Sequence, residues 1–217
     1  TWTKRTSGTQ ERLEGVAYGG GIFVAVGDGS TLLTSRDGTT WTKEDSGVDN
    51  SLRAVAYGNG LFVAVGASGA VLTSPDGADW TEEDSGTSNH LLGVAYGNGL
   101  FVAVGYAGAI LISPDWITRT LWASGTGNKL YEVAYGNDRF VAVGWSGTIL
   151  PSPDGTNWMT RASVWSSHLH GVAYGNNTFV AVGCRGTILT SPDRSEERRL
   201  GTEGSSQRSR NHYKNSL

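Results

Sequence analysis

The segment Ala54-Val-Ala-Tyr-Gly-Asn-Gly-Leu-Phe-Val-Ala-Val-Gly66 recurs five times at a fixed spacing of 39 residues, its first valine falling at Val16, Val55, Val94, Val133 and Val172. A period of this size means that one supersecondary unit is copied because a single unit cannot bury its own faces. Inside the segment, Asn59-Gly60 supplies two residues that accept positive φ between two apolar runs, which is the mark of a tight hairpin. Working outward, Leu52–Tyr57 reads as a first strand, Leu61–Val65 as a second, Ala70–Thr73 as a third and Asp79–Glu82 as a more polar fourth. No stretch carries the 3.6-residue apolar period of a helix. The unit is an antiparallel meander.

Phe62-Val-Ala-Val65 is apolar at every position, so both faces of the second strand are expected to be buried. Sheets buried on both faces along their inner strands, and polar only at the outer one, pack radially like blades. Phe23, Phe62, Phe101, Phe140 and Phe179 hold one repeat position, and Tyr18, Tyr57, Tyr96, Tyr135 and Tyr174 another. All ten read as core. The expected fold is therefore an all-β, five-bladed β-propeller of 39-residue, four-stranded antiparallel blades.

The ends suggest how such a ring closes. A fourth-strand tryptophan stands at Trp2, Trp41, Trp80 and Trp158, while Arg119 and Glu197 occupy the other two equivalent positions. The chain thus opens on an orphan fourth strand and runs out after a third one. Residues 1–7 are expected to complete blade five beside residues 169–193, which would remove the exposed edges. The alternative is an excerpt of a longer ring of six to eight blades.

Composition narrows the class. Glycine, at 32 of 217 residues, is about twice its average usage and fits many tight turns. The single cysteine, Cys184, excludes an internal disulfide framework. There is no apolar run long enough to span a membrane as a helix. Residues 1–193 form the propeller and carry a net charge of −6; residues 194–217 carry +3 and abandon the repeat. An acidic body argues against a nucleic-acid surface. The polar, basic tail reads as a disordered or cloning-derived extension, with a basic docking tail as the alternative.

The strings Ser35-Arg-Asp-Gly-Thr-Thr-Trp41, Ser74-Pro-Asp-Gly-Ala-Asp-Trp80 and Ser152-Pro-Asp-Gly-Thr-Asn-Trp158 resemble the Asp-box, or BNR, turn of bacterial β-propellers. With Val-Ala-Tyr-Gly-Asn-Gly and Phe-Val-Ala-Val-Gly, the unit is similar to repeats of sialidase-like and photosystem-assembly-factor-like propellers. The spacing is one residue shorter than usual, and copy three has Trp116 where glycine is expected. The resemblance implies a turn-stabilising role for Asp37, Asp76, Asp115, Asp154 and Asp193, and favours an extracellular or cell-surface location. One carboxylate per blade makes no metal cage, so neither a metal nor another cofactor is expected.

In a meander, the two–three and four–one loops share one rim. That rim varies between copies, whereas the other is nearly uniform. It presents Asp28, Ala67, Tyr106, Trp145 and Cys184 from the first loop set, and Glu14, Arg53, Leu92, Tyr131 and His170 from the second. Tyr106, Tyr131, Trp145, His170 and Arg185 are the expected ligand-binding residues, combining aromatic faces with groups that meet carboxylates or hydroxyls. His168 and His170 lack a third ligand for a metal, and Cys184 has no adjacent histidine in sequence.

The chain lacks the arginine motif that precedes the first Asp box in sialidases, and its short loops leave little room to place paired carboxylates. No catalytic residue is assigned. The expected function is a non-catalytic, monomeric binding scaffold for a protein or glycan (carbohydrate-binding) ligand. The alternatives are a sialidase-like glycoside hydrolase or a purely structural repeat of a larger surface protein.

Overall fold

A computed structural model describes residues 1–160 and 166–191. Its first sheet comprises β1 (Leu13–Gly19), β2 (Ile22–Gly27), β3 (Leu32–Ser35) and β4 (Thr42–Lys43), in that order. The second comprises β5 (Leu52–Gly58), β6 (Leu61–Gly66), β7 (Val71–Ser74) and β8 (Thr81–Glu83), and the third β9 (Leu91–Gly97), β10 (Leu100–Gly105), β11 (Ala109–Ser113) and β12 (Thr120–Ala123). The fourth and fifth have three strands each: β13 (Leu130–Gly136), β14 (Arg139–Gly144) and β15 (Ile149–Ser152), then β16 (Leu169–Gly175), β17 (Thr178–Gly183) and β18 (Ile188–Thr190). Every pairing is antiparallel between chain neighbours. The first two strands meet in two-residue turns with both residues at positive φ, such as Asn59 at 49° and Gly60 at 76°, as the right-handed twist of a hairpin requires.

The second strands are the heart of the fold. Phe62, Val63, Ala64 and Val65 are all fully buried, as are the matching residues Phe101 to Val104. One face of each sheet packs on the next: Val63, Val65 and Val71 meet Leu91, Val94, Phe101 and Leu111 across the second and third sheets. Within a sheet, tyrosine and phenylalanine sit directly opposite, Tyr57 on Phe62 with ring centroids 4.5 Å apart. The tyrosine also reaches the preceding sheet. A Cβ added at Gly19 would fall 2.0 Å from Tyr57, at Gly58 2.0 Å from Tyr96, at Gly97 2.0 Å from Tyr135, and at Gly136 2.1 Å from Tyr174. Each glycine is the slot for its neighbour's ring.

Ring closure by the N-terminal segment is not found. Trp2 is fully exposed, residues 1–7 form no strand, and the fifth sheet has no fourth strand among the described residues. The physical reason lies at the two outer faces. Tyr18 is 61% exposed and Val182 45%, so the first and last sheets do not pack together and nothing carries residues 1–7 to β18. Tyr18 therefore also departs from the expected core, whereas Phe62, Phe101 and Phe140 are fully buried. The expected tail 194–217 and Asp193 lie outside the described residues.

Copy three solves its turn differently. Trp116 takes the place of a glycine at φ 63° and is fully buried, its ring set between the second and third sheets. In two neighbouring copies the tryptophan sits at the end of the turn, half-buried, where Trp80 and Trp158 donate Nε1–H to the carbonyls of Gly77 and Gly155 at 2.7 and 2.6 Å. Arg119 holds that position in copy three and pairs with Asp84 instead. Trp116→Ala should lower the unfolding free energy by about 3–5 kcal/mol, the usual range for emptying a buried aromatic site. Trp41→Ala should cost clearly less, because Trp41 is only half-buried; urea melts of both variants check the order.

Candidate functional site

The variable rim is built by two backbone devices. In every sheet the turn after the second strand is tied to the residue leading into the first: Asp28, Ala67, Tyr106, Trp145 and Cys184 donate backbone N–H to the carbonyls of Arg12, Ser51, His90, Lys129 and His168 at 2.8–2.9 Å. The glycine before each of these turns permits the approach, since a Cβ at Gly66 would lie 2.2 Å from the Ser51 carbonyl oxygen. The second device is a β-bulge. Leu52 pairs with Gly66 and Ala54 with Val65, leaving Arg53 as the extra residue. Glu14, Leu92, Tyr131 and His170 are the equivalent extra residues of the other sheets. A bulge re-aims its side chain out of the ladder, and these five side chains turn into one cavity.

That cavity measures about 500 Å³ and includes Glu14, Arg53, Tyr106, Tyr131, Glu132 and His170 in its wall. Three of the five expected ligand-binding residues, Tyr106, Tyr131 and His170, are thus brought together. Trp145 and Arg185 stay outside it, Arg185 at the exposed apex of its turn with φ 57°.

Trp145 belongs to a row of side chains along the rim instead. Tyr106 and Trp145 are each flanked by the lead-in residue of their own sheet and that of the next. Tyr106 lies 4.9 Å from His90 edge-on, and Lys129 places its Nζ 4.0 Å from the Tyr106 ring and 5.9 Å from Trp145. Trp145, 42% exposed, stacks on His168 at 3.8 Å. His90 and His168 are pinned by backbone donors, accepting at Nδ1 from Ser68 N–H at 3.2 Å and Ser146 N–H at 3.0 Å. His90, Lys129 and His168 were missed as site residues. The signal was present: position 12, 51, 90, 129 and 168 varies between copies as Arg, Ser, His, Lys and His.

The opposite end of the rim is ionic. Arg53 pairs with Glu14 and lies 3.0 Å from Asp28, and Arg12 pairs with Glu14. His168 and His170 diverge, their centroids 6.4 Å apart, and His170 places Nε2 3.2 Å from Cys184 Sγ. A histidine neighbour for Cys184 was not visible in the sequence because it comes from the adjacent strand. Among the described residues no group of three or more His, Cys, Asp or Glu could hold a metal.

The turns on the other rim use their aspartates locally. Asp37, Asp76, Asp115 and Asp154 each accept two backbone N–H groups two and three residues on, at 2.7–3.1 Å. The Thr39 and Thr40 contacts hold the Asp37 carboxyl far below its ordinary value, as the Asn157 contacts do for Asp154, and the Asp79 and Thr118 amides lower Asp76 and Asp115.

The chain's N-terminal 119 residues match the model of the DUF6242 beta propeller domain. The chain belongs to that family. No curated protein matches it. Among solved structures, this family member resembles YCF48 bound to D1 peptide, with 20% identity and a TM-score of 0.68, over 85% of this chain and 66% of that one. It also resembles YCF48 from Cyanidioschyzon merolae, with 16% identity and a TM-score of 0.67, over 85% and 68%. The computationally designed Ika8 protein shares 17% identity and a TM-score of 0.67, over 84% and 58%. This propeller-family chain therefore spans about two thirds of the length of the first of these structures.

The Glu132 carboxyl, in the cavity wall, titrates above its ordinary value. Desolvation against the neighbouring sheet raises it from 4.5 to about 7, opposed by the Val133 N–H it accepts at 3.1 Å. The folded protein keeps this proton between pH 4.5 and 7 while the unfolded chain loses it, so stability falls as pH rises through that window. Glu132→Gln should match the parent below about pH 4.5 and exceed it above pH 7; urea midpoints across pH 4–8 measure this.

Proposed function

We propose that this chain is a non-catalytic scaffold that holds an extended protein segment along the rim of its third to fifth sheets. The observation that carries the reading is the row His90, Tyr106, Lys129, Trp145 and His168, which runs continuously from one sheet to the next. Such a row offers the partly exposed rings of Tyr106 and Trp145 for apolar side chains, with an ammonium and imidazoles for carboxylates or carbonyls. An extended segment suits it better than a compact ligand, because its groups recur sheet by sheet instead of converging on one point. The adjoining cavity, with Tyr131, His170 and Glu132 in its wall, would take one anchoring side chain. A peptide-bound YCF48 structure among the neighbours favours a protein ligand over a glycan.

In this reading the acidic groups of the rim are structural. Glu14 and Asp28 are engaged with Arg12 and Arg53. The hydrolase alternative has no observation of its own in support.

Selection of a random peptide library on the 217-residue chain, followed by calorimetry, tests the proposal. Selected peptides should lose about tenfold or more in affinity with Trp145→Ala and with Tyr106→Ala, the loss of at least ~1.4 kcal/mol typical of an aromatic anchor. Selected peptides that bind both variants as well as the parent would reject this rim.

A further inference from the structure

Glu132 stands at a repeat position that is otherwise glycine or alanine, its equivalents being Gly15, Ala54, Gly93 and Gly171. The position is narrow: a Cβ at Gly15 would lie 3.1 Å from the α-carbon of Ala54 and 3.2 Å from the Arg53 carbonyl oxygen. Only at the junction of the third and fourth sheets, inside the array, does it carry a charged side chain. Gly93 of the third sheet lies against that side chain, a Cβ there falling 3.1 Å from Glu132 Oε1. Among the described residues the carboxyl accepts a hydrogen bond only from the adjacent Val133 N–H and enters no ion pair. Half-buried without a cation, it favours its protonated form, and its ionisation lowers stability as pH rises. A carboxyl that weakens the fold where glycine suffices finds its explanation in what it meets.

Glu132 shares the wall of the rim cavity with Tyr106, Tyr131 and His170, the last two with ring centroids 5.0 Å apart. The other charged groups in that wall, Glu14 and Arg53, are paired with each other. Lys129 lies outside the wall, its Nζ 4.0 Å from the Tyr106 ring, and the adjoining strand β9 brings only Leu92 and Val94. Aromatic faces beside a desolvated carboxyl suit an organic cation. The rings attract it through their quadrupoles, and the carboxylate accepts its N–H groups in charge-assisted hydrogen bonds. We propose that this cavity seats a basic side chain, lysine or arginine, of the segment held along the rim, with Glu132 as its counter-ion; this rests on the rim reading above. The incoming cation favours the ionised carboxyl, so below about pH 7 the Glu132 proton leaves to solvent on binding.

Two measurements on the 217-residue chain test this, the first without any rim ligand. N-acetyl-lysine methylamide, and N-acetyl-norleucine methylamide as its neutral counterpart, are titrated in at about pH 6 while carbon-13 NMR follows the Glu132 carboxyl. The lysine compound should drive that carboxyl towards its ionised form, and the norleucine compound should not. Glu132→Gln should bind the lysine compound at least about tenfold more weakly. His170→Gln should keep the response, which separates the carboxyl from the other group of the wall that titrates near neutral pH. The second measurement uses peptides selected on the rim. Replacing their lysine or arginine by norleucine should cost about tenfold against the parent and little against Glu132→Gln. A Glu132 carboxyl unmoved by the lysine compound, or a response kept in Glu132→Gln and lost in His170→Gln, would overturn the proposal. So would peptides that depend on Trp145 and Tyr106 yet bind Glu132→Gln as tightly as the parent, a result that leaves the rim reading standing. Peptides indifferent to Trp145 and Tyr106 would reject the rim reading, and with it the seating of a rim-held segment here.

Discussion

A tyrosine ring laid against the α-carbon of a glycine in the preceding sheet is the contact on which the rest of this molecule depends. It couples the two scales of the fold. Within a sheet the tyrosine pairs across strands with phenylalanine, at 4.6–4.8 Å in the first, third, fourth and fifth sheets. Between sheets the same ring occupies space that any Cβ would take, so the side chain missing from glycine sets how closely consecutive blades approach. Because the step is the same at each junction, the sheets form a regular array, and every residue at a given repeat position reaches the same place on its rim.

That regularity turns variation into a site. The lead-in residue, the turn residue and the bulge residue differ from copy to copy, while the backbone that presents them does not. Side chains 39 residues apart therefore become neighbours around the rim, as Tyr106 and Trp145 do on either side of Lys129. Paired charges collect at the first two sheets and aromatic and imidazole groups at the last three. Half-buried Glu132, beside the bulge residue Tyr131, faces the backbone of a neighbouring sheet where Gly93 leaves room for it. Its raised titration is the cost of closeness between inner strands.

Much of this was legible in the sequence. Strand order, hairpin chemistry and the doubly buried second strand follow from Asn59-Gly60 and Phe62–Val65, because turn φ and burial are local or periodic properties. The shared rim, and the meeting of Tyr106, Tyr131 and His170, follow from strand alternation. Ring closure did not follow, because it depends on the rotation accumulated over five sheets, and no residue pattern states that angle. Trp116 was readable only as a departure; that its ring turns inward and fills the core depends on the left-handed backbone at that position. The roles of Lys129 and His168 were not legible, because the lead-in position lies two residues before the bulge position and nothing local shows that it faces the turn residues of two sheets. The bulge itself was invisible, since it adds no residue that sequence periodicity can register.

The sharpest test of the tyrosine–glycine contact is a double-mutant cycle at the junction between the third and fourth sheets. Gly97→Ala places a methyl group where the Tyr135 ring lies, a Cβ 2.0 Å from its Cγ, and overpacking of this kind costs about 1–3 kcal/mol or more. Measured by urea unfolding, that cost should largely vanish when Tyr135 is Ala, giving a coupling energy above about 1 kcal/mol. Additive effects of the two substitutions, with Gly97→Ala equally costly in either background, would contradict the account.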